Sequence, residues 1–585
     1  MGGRKHRDPL FLGAVRESDS VVDCTPLDVH EALTRHFQEW YANPNIYKED
    51  QLHTGQWEEA LRSFPAFYAT VEHTGVPEDL CHLIYEAIRR SPGDAISTHL
   101  AELFTTTPSF DEFTAHVRKL RNNSAPGMSG CSYNMIKSWP EPVLRAAYDS
   151  VAIFWQNRAI PDYWRWRWLV PIPKKTTDTP LMADLRPLML TEASRKVWTS
   201  LIVEKIQDAC RTYHILRTSQ HGYQRNRGTD SASLMFINLI ESSQWEKNTS
   251  HRTSYDMSRA FDSISKNLMR IAWRRLGVPG DVADWLVEMD IGGVTVVRSP
   301  LAQERWETDG YLSVTSYSIP PSVQPADMVY QKYDVRPFVC ARGTGQGNPD
   351  SPTCWNAVFD IALTALEMDA EYRATVHYAA GADGTSYESS EVGYADDLVS
   401  LHDTATEIQR KAEVMSAFCV ICGVTMSHKK LRRAVQDWLG VRHLPSDFSM
   451  KIYEYGWTAR DITVKIDGAT EFLGGQHDLI TIGSTQEVSA LDVTRQHCNV
   501  IDRTYASGTT KLMCLSVSTV PKILYKHNLN SISLNRYQKT DKICYPVILS
   551  ACKHLWGFPK ALLHLPPSYC GLGVDSITDR TFQKK

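Results

Sequence analysis

The sequence has no long apolar run. Nowhere in its 585 residues do the roughly 18 consecutive apolar residues of a membrane-spanning helix occur. The first six residues lack the apolar core of a secretory signal, and position 6 lacks the serine or threonine of a myristoylation motif. These absences argue against the membrane and secreted classes, and we expect an intracellular protein.

Cysteine pairs at metal-binding spacing are also scarce. The thirteen cysteines are scattered and odd in number, which favours reduced thiols over a disulfide framework when no secretory signal is seen. Cys419 and Cys422 form the only close pair, and His428 follows a few residues later. Because a zinc site needs four ligands and no partner pair stands at finger-like spacing, we expect structural thiols.

The chain has no excess of positive charge, no charged tail and no repeat. Its formal net charge is −4, a mild argument against a nucleic-acid enzyme, because such proteins often present a basic surface to phosphates. Basic residues do cluster at 174–175, 270–275 and 428–433. Each cluster taken alone is most simply a solvated helix face. The length predicts several subdomains rather than one core.

What is present is a pair of adjacent aspartates, Asp396 and Asp397, between strand-forming residues at 392–400. Burying two carboxylates this close is costly, because like charges repel and both lose hydration. At a hairpin tip, a divalent ion would be able to neutralise them. A plain Asp-Asp turn explains the same letters, because Asp favours turns, and this segment alone does not decide between the two.

A further aspartate, Asp256, lies where a predicted strand ends and turns into a helix. Adjacent strands would set Asp256 opposite Asp396. Two magnesium ions about 4 Å apart would then bridge these carboxylates and a nucleoside triphosphate. They would activate a primer 3′-hydroxyl and stabilise charge on the transferred phosphoryl group.

With these motifs in place, the sequence resembles the reverse transcriptases of non-LTR (LINE-type) retrotransposons. The resemblance spans residues 25–575, and its motifs occur in the family's order. The segments that carry it are Ala125–Gly130, Pro173–Lys174, Leu185–Leu188 with Lys196, Gln220–Tyr223, Asp256–Asp262, Gly343–Pro352, Tyr394–Asp397, Glu471–Gly474 and Gly571–Gly573.

The resemblance implies DNA synthesis on an RNA template from dNTPs, with two Mg²⁺ ions as cofactors, or Mn²⁺ in their place. The metal ligands would be Asp256, Asp396 and Asp397, with Asp397 the weakest contributor. Lys430 matches a family lysine near the triphosphate and would donate a proton to the leaving pyrophosphate. Lys429 is an equally reachable alternative for that proton transfer.

The same resemblance implies substrate contacts. Lys174 and Arg186 would meet the triphosphate, Arg186 with a fork suited to phosphate. Phe261 would pack under the incoming sugar and collide with a 2′-hydroxyl, although without the motif a core phenylalanine is the simpler interpretation. Gln346 would bond near the nascent base pair. Template and primer contacts would come from Tyr394, Gly347, Phe472, Leu473 and Gly474.

Some features depart from the family pattern. Asn348 stands where Asp or Cys is common. Asp350 stands where an apolar residue is usual, and a charge there is expected to sit poorly against the template groove. The interval from Asp256 to Gln346 is long for the family, and we infer an inserted loop around 306–332.

The expected fold is α+β, the right-hand polymerase fold of fingers, a palm with an antiparallel sheet, and a helical thumb. Residues 1–105 would form an N-terminal helical extension, 106–480 fingers and palm, and 481–585 a thumb-like region. Apolar periodicity predicts helices, and branched or alternating residues predict strands and hairpins. The helices are expected at 25–41, 110–120, 193–207, 265–275, 354–368 and 405–422, the strands at 164–172 and 252–257, and the hairpins at 391–401 and 462–474.

Other interpretations stay open. A non-catalytic remnant or a domesticated nucleic-acid-binding protein would keep the fold, and Asn348, Asp350 and the near-neutral charge leave room for it. Phe261 argues against a viral RNA-dependent RNA polymerase, because ribonucleotide selection needs a polar or small group there. An intron maturase would be expected to carry a maturation domain, and none is seen.

The expected partners are an RNA template, a DNA primer or target DNA, and dNTPs, without a membrane. The protein would meet them in the nucleus or in a cytoplasmic ribonucleoprotein. Neither an N-terminal endonuclease, a Cys/His knuckle nor an RNase H domain is recognised in the sequence. We therefore expect the polymerase portion of an element.

Overall fold

The computed structural model describes most of the chain. The described residues are 12, 14–16, 26–41, 56–122, 124–174, 179–247, 249–291, 293–299, 337–369, 378–380, 386–388, 390–437, 447–454, 457–465, 469–473, 475–478, 484–527, 534–553, 559, 563–565, 574 and 576–578. The expected insert at 306–332 and the Gly571–Gly573 motif lie outside these residues.

Helices dominate both ends of the chain. In chain order they are α1 (Pro26–Tyr41), α2 (Trp57–Ala60), α3 (Phe64–Val71), α4 (Glu78–Arg89), α5 (Asp94–Thr105), α6 (Phe110–Lys119), α7 (Tyr133–Ser138), α8 (Glu141–Gln156), α9 (Ala193–Thr212), α10 (Thr229–Glu246), α11 (Ala260–Ser263), α12 (Lys266–Arg275), α13 (Gly280–Glu288), α14 (Ser351–Met368), α15 (Ala405–Cys422), α16 (Ser484–Arg503), α17 (Gly508–Cys514), α18 (Val520–His527) and α19 (Leu534–Ala551).

The strands lie mainly in the middle of the chain. They are β1 (Arg167–Pro173), β2 (Leu185–Leu190), β3 (Thr249–Ser258), β4 (Val294–Val297), β5 (Phe338–Val339), β6 (Tyr378–Ala380), β7 (Ser386–Glu388), β8 (Glu391–Tyr394), β9 (Asp397–His402), β10 (Thr425–Met426), β11 (Arg432–Asp437), β12 (Asp447–Glu454), β13 (Trp457–Lys465), β14 (Ala469–Phe472) and β15 (Gly475–Asp478).

The central sheet has the strand order β10-β3-β9-β8, with β11 also paired to β3, and all of these pairs are antiparallel. Because successive side chains on a strand alternate between faces, Tyr255 and Leu398 enter the large core shared with α4, α12, α14 and α15. Val399 faces the other way, into a smaller cluster with Phe236 of α10 and Phe472 of β14. Apolar packing on both faces therefore supports this sheet and the β8–β9 hairpin within it.

A second sheet has the order β2-β1-β4-β5, in which β1 and β4 are parallel. Helix α1 packs against it through Leu33, Phe37 and Tyr41, whose spacing of four residues places them on one helix face. This contact brings the end of α1 next to the loop that begins after β5. The C-terminal helices α16–α19 share a separate core that includes Ile523 and Ile548.

The α+β expectation is confirmed in its coarse form, because the described chain is helical with antiparallel sheets. The expected helices all occur, but the strand expected at 164–172 begins only at Arg167, after a short 3₁₀ turn at Asp162–Trp164. The single hairpin expected at 462–474 is wrong. These residues belong to two hairpins, β12–β13 and β14–β15.

The domain boundaries at 105 and 480 stay predictions. Helices α2–α5, from the part expected to be an extension, contribute to the same hydrophobic core as α14 and α15. Among the described residues, no helix is both long enough and apolar enough to cross a membrane.

Candidate active site

The hairpin β8–β9 has the tight tip that the sequence predicts. Tyr394 pairs with Asp397, so Ala395 and Asp396 form the two-residue turn. Ala395 has a φ of 59°, in the left-handed region that favours glycine, asparagine or aspartate. A neighbouring segment must therefore hold this turn in place.

Gln220 holds it. Its Oε1 accepts the Ala395 N–H at 2.9 Å, and its Nε2 donates to the Ala395 carbonyl at 3.2 Å. The same Oε1 accepts the Gly222 N–H at 2.8 Å. A Cβ at Gly222 would lie 2.3 Å from the Ala395 nitrogen, so only glycine allows this approach. The Gln220–Tyr223 motif marks this segment in the sequence, although the motif alone does not predict that Gln220 holds the turn.

The three aspartates meet at this tip, in a register that differs from the expected one. Asp256 of β3 pairs with Asp397, not with Asp396, which sits in the turn. Directly opposed residues on antiparallel strands point to the same face, with their Cβ atoms about 5 Å apart. Asp256 and Asp397 are therefore cross-strand neighbours, and Asp396 lies beside them at the corner.

The electrostatics of the tip reflect this crowding. Burial, followed by the charges of Asp396 and Asp256, raises the pKa of Asp397 to about 6. Burial is also the main cause that raises the pKa of Asp396, and the charges of Lys430 and Arg186 oppose the rise. Carboxylates that are hard to ionise together attract any cation that can approach them.

Lys430 is such a cation. Its Nζ lies 3.0 Å and 3.1 Å from the two oxygens of Asp256. The turn that carries it is anchored by the Ser427 N–H, which donates to the Asp256 carbonyl at 2.8 Å. The Lys430 side chain is 65% exposed and can leave the carboxylate without disturbing the core. For Lys429, in contrast, the contact found within the described part of the chain is a main-chain one, from the Arg432 guanidinium to its carbonyl at 2.8 Å.

The chemistry of the donor set suits a divalent ion, because carboxylate oxygens are the protein ligands that Mg²⁺ prefers. In the described part of the chain, however, no three His, Cys, Asp or Glu side chains already converge on one metal position. The ammonium of Lys430 instead neutralises Asp256. The tip thus carries three carboxylates, with the exposed Lys430 as the counter-charge of Asp256.

Phe261 lies half-buried near this corner. Its ring makes an edge contact with Tyr223 at 6.1 Å and lies 5.7 Å from the Trp355 ring, between centroids. Tyr223 also lies 6.4 Å from the half-buried Tyr394. Tyr223, the last residue of the Gln220–Tyr223 motif, therefore links the Phe261 side chain to the hairpin.

The loop after β5 approaches the same region from the second sheet. The Met189 N–H of β2 donates to the Gln346 carbonyl at 2.7 Å, and the Gln346 side chain donates to Asp262 at 2.9 Å. Gly347 is exposed with a φ of 104°, and a Cβ there would lie 2.8 Å from the Met189 carbonyl oxygen. Asn348 is buried, and its amide donates to the Thr344 carbonyl at 3.0 Å. Asn348 therefore serves to shape the loop.

Asp350 does not lie against a groove, and that expectation is wrong. The residue is 1% exposed. Burial, then repulsion from Asp290, raises its pKa to about 7. Asp290 accepts bonds from Arg167 at 2.8 Å and from Arg195 at 2.7 Å, so Asp350 adjoins a buried ionic cluster. The carboxyl group is internal because Asp350 immediately precedes α14, whose first turn is buried.

Arg186 and Lys174 occupy the hairpin β1–β2. Arg186 is exposed, and its charge lowers the pKa of Asp396, so it lies within electrostatic reach of the tip. The Lys174 ammonium donates to the Ala183 carbonyl of its own hairpin at 3.3 Å. The structure therefore brings Arg186, but not Lys174, towards the carboxylates.

The hairpin β14–β15 also adjoins the site. The charge of Glu471 contributes to the raised pKa of Asp397. Phe472 is 2% exposed and packs edge-on against Phe236 at 5.4 Å, so its side chain anchors the hairpin. Leu473, with a φ of 52°, is half-buried at the turn, and Gly474 lies outside the described residues.

Comparison with known proteins gives a consistent result. Residues 172–443 match the family model described as "Reverse transcriptase (RNA-dependent DNA polymerase)". This interval contains Asp256, Gln346, Asp396, Asp397 and Lys430.

Three curated relatives are similar over longer stretches. The chain is 24% identical, over 52% of its length and 36% of the relative, to the "Retrovirus-related Pol polyprotein from type-1 retrotransposable element R2" of Popillia japonica. It is 21% identical, over 78% of its length and 38% of the relative, to that of type-2 element R2DM of Drosophila melanogaster. A third, from a type-1 R2 element of Nasonia vitripennis, is 20% identical over 70% of the chain and 35% of the relative. The aligned stretch thus covers little more than a third of each relative.

Proposed function

Because this chain carries the reverse transcriptase domain of a non-LTR retrotransposon, we propose that it is an RNA-directed DNA polymerase. It would add dNTPs to a primer 3′-hydroxyl along an RNA template. The observation that carries the proposal is the pairing of Asp256 with Asp397 at the tip that holds Asp396. A buried core supports this tip from below, and the basic residue Lys430 flanks it.

In the right-hand description, the central sheet with α14 and α15 would be the palm, and the sheet of β1 and β2 would belong to the fingers. The helices α16–α19 would form the thumb. The separate apolar core of these C-terminal helices supports that last assignment. On this view the carboxylate tip would lie on the palm.

Reverse transcriptases generally use divalent metal ions, and we propose that Asp256, Asp396 and Asp397 hold two Mg²⁺ ions here. When bound, the ions would lower the cost of developing charge on the nucleophile and on the pyrophosphate. The raised pKa of Asp397, caused first by burial and then by neighbouring carboxylates, supports a cation requirement. Lys430 would exchange Asp256 for the triphosphate and give a proton to the leaving pyrophosphate.

Nucleotide binding would draw on the neighbouring side chains. Arg186 would form charge-assisted bonds to the triphosphate, with Lys174 further along the same hairpin. Phe261 would lie under the deoxyribose, and Gln346 would bond close to the nascent pair. The exposed backbone at Gly347 and the hairpin residues Tyr394, Phe472, Leu473 and Gly474 would border the template and primer. We propose that these contacts are made in the nucleus or in a cytoplasmic ribonucleoprotein.

Primer extension tests the proposal. Purified protein is incubated with oligo(dT) annealed to poly(rA), dTTP and Mg²⁺, beside an Asp396→Asn variant as the matched control. We expect extension by the unchanged chain and a loss of at least about a hundredfold in the variant, because electrostatic stabilisation at such a site is worth several kcal/mol. No extension by the unchanged chain would leave a nucleic-acid-binding remnant of the same fold.

A further inference from the structure

A single buried carboxylate joins the N-terminal helix to the loop that carries Gln346. Asp262, the residue after Phe261, is 2% exposed. Its Oδ1 accepts the Tyr41 hydroxyl at 2.9 Å. Its Oδ2 accepts the Trp40 indole N–H at 3.3 Å and the Gln346 amide N–H at 2.9 Å. Three segments that are far apart in sequence therefore meet at one side chain.

This carboxylate is held firmly. A buried carboxylate is costly unless its oxygens are hydrogen-bonded, and burial raises the pKa of Asp262 to about 6, against the opposing effect of these three bonds. The Arg259 guanidinium stacks on the Trp40 ring, 3.6 Å from its centroid, and its charge also favours the ionised form of Asp262. Tyr41 in turn stacks on Phe338 of β5. The end of α1 is thus fixed from two sides.

The backbone around Gln346 is fixed as well. The Thr344 N–H donates to the Phe261 carbonyl at 2.9 Å, and the Met189 N–H donates to the Gln346 carbonyl at 2.7 Å. The orientation of the Gln346 side chain then depends on Asp262. Because a carboxylate only accepts hydrogen bonds, it takes the amide Nε2, and Oε1 is the amide atom that this bond leaves to a ligand.

We propose that Asp262 is a positioning residue for nucleotide binding, and that Trp40 and Tyr41 hold its carboxylate in place. Together they hold Gln346 so that its amide oxygen meets a hydrogen-bond donor of the incoming dNTP beside Phe261. The inference rests on the proposed function and deepens it. It also makes α1 part of the nucleotide site rather than a separate extension.

The test is a thermodynamic cycle on nucleotide affinity. Tyr41→Phe removes one donor to Asp262 and keeps the aromatic ring. Asp262→Ala removes the acceptor, and Gln346→Ala removes the group that is positioned. Tyr148→Phe is the matched control, because its hydroxyl likewise makes one hydrogen bond, to the Pro108 carbonyl at 2.8 Å, in another part of the fold. Loss of one such bond corresponds to about a fivefold change in affinity.

We expect Tyr41→Phe to raise the KM for dTTP about fivefold with kcat within twofold, and Tyr148→Phe to change neither. In the Gln346→Ala background, Tyr41→Phe and Asp262→Ala should add no further effect. Equal effects of Tyr41→Phe with and without Gln346 would mean that Asp262 does not act through it, and would overturn the proposal. Asp262→Ala is the variant at risk of misfolding, and Tyr41→Phe carries the test without it.

A second measurement separates this inference from the proposed function. A primer that ends in a dideoxynucleotide allows the dissociation constant of dTTP to be measured without chemistry. If the unchanged chain binds dTTP but does not extend a normal primer, the polymerase proposal fails. The effects of the Tyr41, Asp262 and Gln346 variants are then still measured through the dissociation constant of dTTP. If the unchanged chain binds no dTTP in the presence of Mg²⁺, both proposals are overturned.

Discussion

Gln220 and Ala395 lie 175 positions apart and share two hydrogen bonds, one to each main-chain group of the alanine. Ala395 is the turn residue in the left-handed region, and Gln220 is 1% exposed. A non-glycine residue in that conformation costs on the order of 1 kcal/mol, which the two bonds offset. The position of Asp396, next along the chain, therefore depends on the buried side chain of Gln220.

Replacing Gln220 with alanine should disable the site without unfolding the protein. The substitution leaves the buried N–H and carbonyl of Ala395 unpaired, at a cost of about 1–3 kcal/mol each, and lets the tip relax. We expect primer extension to fall at least about tenfold, mainly through kcat, because positional errors near 1 Å are costly in catalysis. Gln224→Ala, which removes the bond to the Gln220 carbonyl, is the control. Equal activity of the two variants would refute the proposal that Gln220 holds the Ala395 turn in its active position.

Phe261→Val should relax sugar selection. The valine is shorter and would leave space where a 2′-hydroxyl would otherwise collide with the ring. We expect the ratio of ribonucleotide to deoxyribonucleotide incorporation, measured with rUTP and dTTP on poly(rA), to rise at least about tenfold. An unchanged ratio would return Phe261 to a packing role between Tyr223 and Trp355. Trp355→Phe, a change at another ring that packs against Phe261, controls for repacking.

The sequence predicts the carboxylate site well because its residues form continuous motifs on regular elements. The hairpin at 391–401 and the strand before Phe261 follow from local pattern, and their adjacency follows from the chemistry of the aspartates. The register does not follow. The sequence motifs are equally compatible with strands paired one residue out of register. The apolar contacts of Leu398 and Val399, on opposite faces of the sheet, decide that Asp397 opposes Asp256.

Long-range polar contacts were harder to predict. Asp262 belongs to a sequence motif, but its partners Trp40 and Tyr41 lie more than 200 positions away. No local sequence pattern indicates that they contact Asp262. The expectation that Asp350 faces the template groove follows from the loop motif alone. Burial of the first turn of α14 decides its environment instead, and it places Asp350 beside the charges of Asp290 and Arg195, which are distant in sequence.

Asp350 should make stability depend on pH. Its folded pKa of about 7 lies above its ordinary value of 3.8, so the folded state keeps a proton that the unfolded state releases. The free energy of unfolding therefore loses a contribution as pH rises from about 4 to about 7. The charges of Arg195 and Lys266 favour the ionised form of Asp350, but burial and repulsion from Asp290 outweigh them.

Asp350→Asn removes this titration and keeps the shape. Relative to the unchanged chain, the variant should become more stable by at least about 1 kcal/mol between pH 5.5 and pH 7.5, because each tenfold change in proton affinity is worth about 1.4 kcal/mol. Urea unfolding followed by tryptophan fluorescence at the two pH values measures the difference. A constant difference would mean that Asp350 stays charged in the folded protein. Asp350→Leu should show the same trend.

The two neighbouring lysines can be separated by substitution. Lys430 contacts Asp256 through both carboxylate oxygens, whereas among the described residues Lys429 is contacted at its carbonyl, by Arg432. We expect Lys430→Ala to lower kcat by about a hundredfold or more, the usual size of a general-acid effect, and Lys429→Ala to stay within about twofold.

Lys430→Arg distinguishes proton transfer from charge. Arginine keeps the positive charge but does not release its proton in proteins, so it should restore binding of the triphosphate without restoring kcat. Single-turnover rates and dTTP affinities on primed poly(rA) provide the two numbers. A Lys430→Arg variant with full kcat would show that the lysine acts only as a counter-charge. If Lys429→Ala were the more damaging change, Lys429 would be the residue that transfers the proton. The contact between Lys430 and Asp256 would then have no role in catalysis.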